Sequence, residues 1–169
     1  MSRNLHLVPY DPSWPERFER EAARLRKALG QWITAIEHVG STAVPGLLAK
    51  PVIDIAVAVE SEADADACVA PAAALGYEYR GLHGEDPRRR YYVLNDAGHR
   101  IAQLHLYILP ACAWTELLTF RDALRTQPQL AADYSREKRR VAEAVEWDKA
   151  AYSLAKGPFI SAALARLEA

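Results

Sequence analysis

The chain has 169 residues, of which half are hydrophobic and a quarter charged, as in an ordinary single globular domain. Its net charge of −1 excludes a global electrostatic attraction to nucleic acid or to acidic membranes. It has neither an apolar run of the roughly 18 residues that a membrane span needs nor a signal-peptide core, so we expect no membrane partner and a cytoplasmic protein. The distant Cys68 and Cys112 predict neither a disulfide framework nor a zinc site.

The first strong pattern is a helix over 13–30, after a segment at 4–8 that is compatible with a short strand. Ser13 followed by Glu16 predicts a capping box, and Gly30 suits the position just past the helix end. Apolar residues at helical spacing predict one buried stripe, and they are Trp14, Phe18, Ala22, Leu25 and Leu29.

The middle of the chain predicts a sheet. Segments 32–39 and 51–59 are short and rich in β-branched residues, which is typical of strands. An alanine-rich helix over 61–75 follows, with an interruption expected near Pro71. Three more strands are predicted around 77–80, 90–94 and 100–109. The sequence NDAG at 95–98 predicts a hairpin between the last two.

From Trp114 onward the composition and spacing are helical. Pro128 suits a helix start, and Gly157-Pro158 predicts a break in the last segment. No linker separates the halves. We therefore predict one α+β domain over 1–169, with a mixed sheet in 1–110 and a helical tail in 113–169.

One carboxylate, Asp54, interrupts the apolar strand at 51–59. Alternation places it opposite Ile53 and Ile55, and a buried carboxylate needs a cation, hydrogen-bond donors or solvent. A structural pairing with Lys50 or an arginine is one interpretation. The preceding Gly40-Ser41-Thr42 favours another, because a turn with free N–H groups and hydroxyls can hold phosphate oxygens. The spacing does not fit a Walker-type loop.

The later strand RIAQLHLYIL places Gln103, His105 and Tyr107 on one face. If it neighbours the strand of Asp54, Gln103 and His105 reach the same cleft, although a lone strand histidine is more often simply packed or solvated. The segment DPRRRYY at 86–92 is compatible with RNA contact, but a loop entering a strand is the ordinary interpretation, and nucleic acid is disfavoured.

These pieces together resemble a known family. HVGSTAVPGLLAKPVIDI (38–55) is similar to the signature of the GrpB family, small bacterial proteins of the nucleotidyltransferase-like superfamily. The resemblance extends through further segments in the same order: DPSWPERFERE (11–21), LGY (75–77), LHL (104–106), FRDALR (120–125), Tyr134 with Lys138, and YSLAKGPFI (152–160). It implies a nucleotidyltransferase-like mixed sheet flanked by helices with a C-terminal helical segment. A similar domain is fused to dephospho-CoA kinase.

The resemblance also implies roles for individual residues. Phosphate would be held by Gly40, Ser41, Thr42, Lys50, Arg121, Lys138 and Lys156. Asp54 would hold a divalent metal, Mg²⁺ or Mn²⁺, and a second acid is expected two residues later, where this chain has Ala56. His105 stands where a third acid is expected, and with His38 and Asp54 it could complete one metal site. Asp54 and His105 are the candidate catalytic groups.

Three hypotheses follow. The first is metal-dependent transfer of a nucleotidyl or related phosphoryl group from a nucleotide to a small acceptor. The second is a non-catalytic module that binds a nucleotide or other phosphorylated small molecule, with a degenerate metal site, and Ala56 favours it. The third is a scaffold that has lost its ligand, and what argues against it is the joint presence of Lys50, Asp54, His105, Arg121 and Lys138.

Overall fold

The computed structural model describes residues 5–82 and 86–167. Its helices are α1 (Trp14–Leu29), α2 (Glu62–Ala67), α3 (Val69–Ala74), α4 (Cys112–Thr126), α5 (Pro128–Ala144), α6 (Lys149–Ala155) and α7 (Gly157–Leu167). The strands are β1 (Ile33–Val39), β2 (Ile53–Val59), β3 (Tyr77–Leu82), β4 (Arg89–Asp96) and β5 (His99–Ile108). A short 3₁₀ turn covers Ser41–Ala43.

The five strands form one mixed sheet in the order β1-β2-β5-β4-β3. Only β2 and β5 run parallel, and the other neighbours are antiparallel. The parallel pair lies at the centre of the sheet and aligns Asp54 with Gln103 and Ala56 with His105. The α+β mixed sheet expected from the sequence is therefore confirmed.

One face of the sheet is covered by α1 and the α2–α3 pair. The stripe expected on α1 is buried as a whole, from Trp14 to Leu29. It packs in one cluster with Ile55 of β2 and with Leu104 and Leu106 of β5, all fully buried. Alternation within the strands thus sends every second residue of the central pair into this core.

The ends of three elements differ from the sequence expectation. Ser13 caps nothing through its side chain, because its backbone is already helical, and Gly30 keeps a right-handed helical conformation. The helix over 61–75 breaks at Cys68 rather than at Pro71, which the first turn of α3 accommodates. Near the N-terminus the described residues contain an isolated bridge between Val8 and Ala49 in place of a strand, and residue 4 lies outside the described part.

Two irregularities in the sheet matter for the site. In β3, Arg80 and Gly81 together lie opposite Tyr91, with Gly81 at φ +84°. In β5, Ile101 is an extra residue between the pairs Leu94–Ala102 and Asn95–Arg100. Both are β-bulges, which change where side chains point. The expected NDAG hairpin is confirmed, with Ala97 and Gly98 both at positive φ.

Of the four C-terminal helices, α4 packs against the other side of the sheet, while α5, α6 and α7 pack on one another and on α4. At one end, Trp114 and Leu117 of α4 cover Val39, Ala56 and Tyr107. Pro128 begins α5, and the last segment breaks between α6 and α7, as expected. No helix in the described ranges has the length and apolar character needed to cross a membrane.

Candidate functional site: a cationic cleft around Asp54

A cleft of about 900 Å³ opens on the sheet face opposite α1. Its floor is formed by side chains of β2, β5 and β4, and its walls come from the 3₁₀ turn, α5 and α6. Five Lys or Arg side chains line it against two carboxylates, Asp54 and Asp148. The charge balance among these lining residues favours an anionic ligand.

Asp54 stands in the floor and is held by a chain of hydrogen bonds. Gln103 Nε2 donates to Asp54 Oδ1 at 3.0 Å. The hydroxyl of Tyr91 donates to Gln103 Oε1, and Arg100 Nη1 donates to that hydroxyl at 3.1 Å. Because the Tyr91 hydroxyl donates to the amide oxygen, the amide nitrogen must face the carboxylate. These linked hydrogen bonds therefore fix the orientation of Asp54 without neutralising its charge.

His105 lies beside Asp54, and both of its ring nitrogens face charged groups. Arg89 Nη2 is 2.9 Å from Nδ1, and Asp54 Oδ1 is 3.8 Å from Nε2. Arginine has no acceptor atom, so we assign the lone pair to Nδ1 and the proton to Nε2. Burial lowers the pKa of His105, with Arg89 adding to the effect and Asp54 opposing it, which keeps the ring neutral near pH 7.

The glycine turn closes over Asp54. Gly40 has φ +70°, and a Cβ built on it would lie 2.4 Å from Asp54 Oδ2. Only glycine allows both the conformation and the contact. The next residues form the short helical turn expected from the sequence, and Ser41 and Thr42 line the cleft. The structure thus brings the turn and the carboxylate into direct contact.

Lys138 reaches this turn from α5. Its side chain is 1% exposed, and its Nζ donates to Ser41 Oγ at 2.5 Å and to the carbonyl of Leu48. Burial, followed by repulsion from Lys156 and Lys50, lowers the pKa of Lys138 well below its usual value, while Asp54 opposes the shift. An ammonium held in this way gains strongly from an anion placed next to it.

Two more lysines sit on the ring of Tyr152 in α6. Lys50 Nζ lies 5.0 Å and Lys156 Nζ 4.6 Å from the ring centroid, which are cation–π distances. Burial lowers the pKa of Lys156, and Asp54 opposes this shift too. With Lys138 they form a lysine group on the side of the cleft next to Ser41.

Two residues expected at the site lie elsewhere. His38 shares the α1 face of β1, where it stacks on Phe18 at 4.7 Å, and its Nε2 is 3.0 Å from the hydroxyl of Thr42. Arg121 lies outside the cleft wall formed by the described residues, bound to Glu37 at 2.7 Å and to the carbonyl of His38 at 3.0 Å. Strand alternation explains the position of His38, because this residue pairs with the core residue Ile55 rather than with Asp54.

The protein groups alone do not compose a metal centre. Among the described residues no three His, Cys, Asp or Glu side chains are arranged to hold an ion. Asp54 offers one carboxylate, and the position of the second acid is the fully buried Ala56. A single carboxylate of this kind fits at most one hard cation that takes its other ligands from water or a bound molecule, as Mg²⁺ often does. They do not fit a two-metal centre built by the protein.

The cleft residues that sequence reasoning missed include Tyr91, Arg80 and Arg100. Tyr91 could have been found by alternation, since it pairs with His105 across β4 and β5. Arg100 could not, because strict alternation from Gln103 turns it toward the core and only the bulge at Ile101 returns it to the cleft.

The arginines of segment 86–92 are engaged within the protein. Arg88 donates to the carbonyl of Pro110, Arg89 to His105, and Arg90 to the carbonyl of Pro87. These contacts agree with the interpretation of this segment as a loop entering a strand.

Comparison with solved structures defines the class of the fold. The crystal structure of Cid1 poly(U) polymerase with Mg and 3′-dATP bound aligns with a TM-score of 0.55 and 15% identity, over 90% of this chain and 49% of that one. At this identity the likeness concerns the fold alone, and the fold is that of a nucleotidyltransferase-like protein.

The chain belongs to the GrpB family, because the family model described as GrpB protein matches residues 4–166. The crystal structure of the conserved protein GrpB from Enterococcus faecalis superimposes with a TM-score of 0.85 and 33% identity, covering 95% of this chain and 96% of that one. A UPF0157 protein of Pseudomonas aeruginosa is 36% identical over 96% of this chain and 67% of its own length. A dephospho-CoA kinase of Mycolicibacterium paratuberculosis is 34% identical over 96% of this chain and 46% of its own length.

Proposed function

We propose that the chain binds a nucleoside triphosphate in this cleft and transfers a nucleotidyl or related phosphoryl group to a small acceptor in the cytoplasm. The observation that carries the proposal is the buried ammonium of Lys138, held on Ser41 at the turn that closes over Asp54. A desolvated cation, the Ser41 hydroxyl and a carboxylate meet at this turn. This combination suits a phosphate chain carrying a divalent cation.

In this proposal the lysine group, the Ser41 hydroxyl and backbone N–H groups of the turn at 40–42 hold the phosphates. Asp54 would hold one Mg²⁺ or Mn²⁺, which would supply charge that neutralises the phosphates. Gln103 keeps Asp54 in place because its amide donates to the carboxylate, and His105 lies beside that carboxylate with Nε2 3.8 Å from Oδ1. The acceptor oxygen would form a bond to phosphorus as the bond to the leaving phosphate breaks, and its proton would pass to solvent or to Asp54.

A second candidate, a binding module without turnover, is favoured by the surroundings of Ala56. Its partner on β1 is Glu37, and its partner on β5 is His105. Glu37 is bound to Arg121 at 2.7 Å, which holds its carboxylate in an ion pair. The strands beside Ala56 therefore present a paired carboxylate and a neutral ring where a second metal-binding acid is expected.

The test combines binding and turnover. At a hundredfold excess over Kd, one of ATP, CTP, GTP or UTP with Mg²⁺ or Mn²⁺ should raise the melting temperature by about 5–10 °C. Asp54→Asn should abolish the metal-dependent part of this rise. The matched control is Asp133→Asn, which removes an exposed carboxylate paired with Arg136 outside the cleft.

Pyrophosphate or phosphate release against a panel of small hydroxyl and amine acceptors, absent in Asp54→Asn, supports transfer. Metal-dependent binding without release over that panel supports the module. If no nucleotide raises the melting temperature of the wild type, or if Asp54→Asn responds as the wild type does, both proposals are wrong.

A further inference from the structure

A second group of cations lines the cleft at the end away from the lysine group. Arg80 projects from β3 and Arg100 from β5, on either side of Tyr91 in β4. In the sheet order, β3 is three strands away from the strand of Asp54, or about 14 Å at the usual strand spacing. One phosphate bound at Ser41 cannot also contact Arg80.

The positions of both arginine side chains in the cleft depend on β-bulges. The bulge at Ile101 keeps Arg100 on the cleft face, paired with Asn95. The bulge in β3 sets Arg80 and Gly81 opposite Tyr91, with Gly81 in a left-handed conformation. The β3 bulge lies opposite Tyr91 and the β5 bulge opposite the Leu94–Asn95 step of the same strand, β4. Bulges occur preferentially next to functional sites.

The hydrogen bonds of Arg100 also indicate that the guanidinium can bind a further acceptor from a ligand. Its Nη1 donates to the hydroxyl of Tyr91, while its Nε is buried and finds no acceptor within the described residues. Arg80 is about half exposed, with a side-chain exposure of 46%, and it pairs with Glu78 at 2.7 Å. Exposed pairs of this kind contribute little and are readily exchanged for a stronger oxyanion.

We propose that Arg80 and Arg100, the latter positioned by its bond to the Tyr91 hydroxyl, form a second oxyanion subsite, which holds a phosphate or carboxylate group of the acceptor while a nucleotide occupies the lysine group. The assignment of this anion to the acceptor rests on the proposed function, whereas the subsite itself does not. The hydrogen-bond chain from Arg100 through Tyr91 and Gln103 ends on Asp54, so the subsite and the carboxylate share one rigid floor. The acceptor class is then a small molecule with an anionic group about two to three strand spacings from the atom that reacts.

The experiment is calorimetric titration of inorganic phosphate into the full chain, alone and with a saturating non-hydrolysable nucleoside triphosphate and Mn²⁺. Malonate in place of phosphate distinguishes a carboxylate from a phosphate preference. Phosphate or malonate should still bind when nucleotide is present. Arg100→Gln should weaken that binding about tenfold, and Arg80→Gln about threefold because Glu78 already screens it. Arg140→Gln, an exposed arginine paired with Glu137 on α5, is the matched control and should change nothing.

The subsite is disproved if nucleotide displaces all phosphate and malonate, or if both arginine variants bind them as the wild type does. Failure of the proposed function gives a different result. In that case nucleotide does not bind, while phosphate titrated into the nucleotide-free chain still loses affinity in Arg100→Gln. Circular dichroism and the melting temperature of each variant confirm that it remains folded.

Discussion

The two faces of the central strands carry opposite chemistry on alternate residues of the same chain segments. On the α1 side, Ile55 and Leu104 are fully buried in the main core. One residue away, Asp54 and Gln103 form the polar floor of the cleft. In these strands, the alternate residues that face the core stabilise the fold, and those that face the cleft are available to contact a ligand. Substitutions of adjacent residues should therefore have separable effects.

The sharpest test of this comparison uses the neighbours Leu104 and Gln103. Leu104→Ala should lower the free energy of unfolding by about 2–5 kcal/mol, because it leaves a cavity in a fully buried cluster. Gln103→Ala should cost about 1–2 kcal/mol, since it removes hydrogen bonds at a partly open site. Chemical denaturation measures both. Equal losses would contradict the division between the faces.

The buried His38 and the partly buried His105 extend the comparison to pH. Burial, with a contribution from Arg125, lowers the pKa of His38 to about 4 from its usual 6.5. The unfolded chain then binds more protons than the folded one between these values, so the stability that His38 contributes is lost as the pH falls from 6.5 to 4. The loss should be on the order of 2–3 kcal/mol.

His38→Gln should flatten this part of the stability profile, measured by urea denaturation at several pH values, with the wild type as reference. NMR of the two imidazoles gives the complementary result. Added nucleotide should shift the resonances of His105 on the cleft face, and it should leave those of His38 on the core face nearly unchanged. A large response of His38 alone would reverse the assignment of the faces.

Gly40→Ala tests the contact through which the turn meets the strand. The new methyl group overlaps Asp54, and φ +70° is strained for alanine, so we expect a loss of about 1–3 kcal/mol and loss of the nucleotide-induced rise in melting temperature. Adding Asp54→Ala should recover part of the stability but none of the binding. An additive double variant would show that the overlap is absent in solution.

Lys138→Met should have the smallest effect on stability and a large effect on binding. Two hydrogen bonds are lost, but the desolvation cost of the ammonium is removed, so the net change should stay within about 1 kcal/mol. In the wild type, an anion bound beside this ammonium offsets its desolvation, so calorimetry should detect phosphate binding. The variant should not show tight phosphate binding.

The sequence predicts the fold well because its periodic signals are strong. The stripe of α1, the alternation of β2 and β5 and the NDAG hairpin each agree with the structure. From the sequence, the pairing of β2 with β5 could only be assumed. This pairing brings Gln103 and His105 to Asp54. A local pattern does not encode which strands become neighbours across more than 40 residues of chain.

The parts that escaped prediction depend on tertiary contacts. Ser13 and Glu16 match a capping pattern that the backbone of Ser13 does not realise. His38 is close to the glycine turn in sequence, yet the alternation of side chains along β1 places it on the core face of the sheet. Arg100 required the bulge at Ile101, and a bulge is fixed by the pairing of both strands rather than by one of them.

The contact between Gly40 and Asp54 has a consequence for evolution. Across the family the two positions should covary, since a glycine that exists to make room for an acid loses its selective advantage once the acid is replaced. Members that retain both would be those under selection for a ligand. A side chain appearing at the glycine position, long before any change in the surrounding lysines, would mark lineages in which the site has begun to decay.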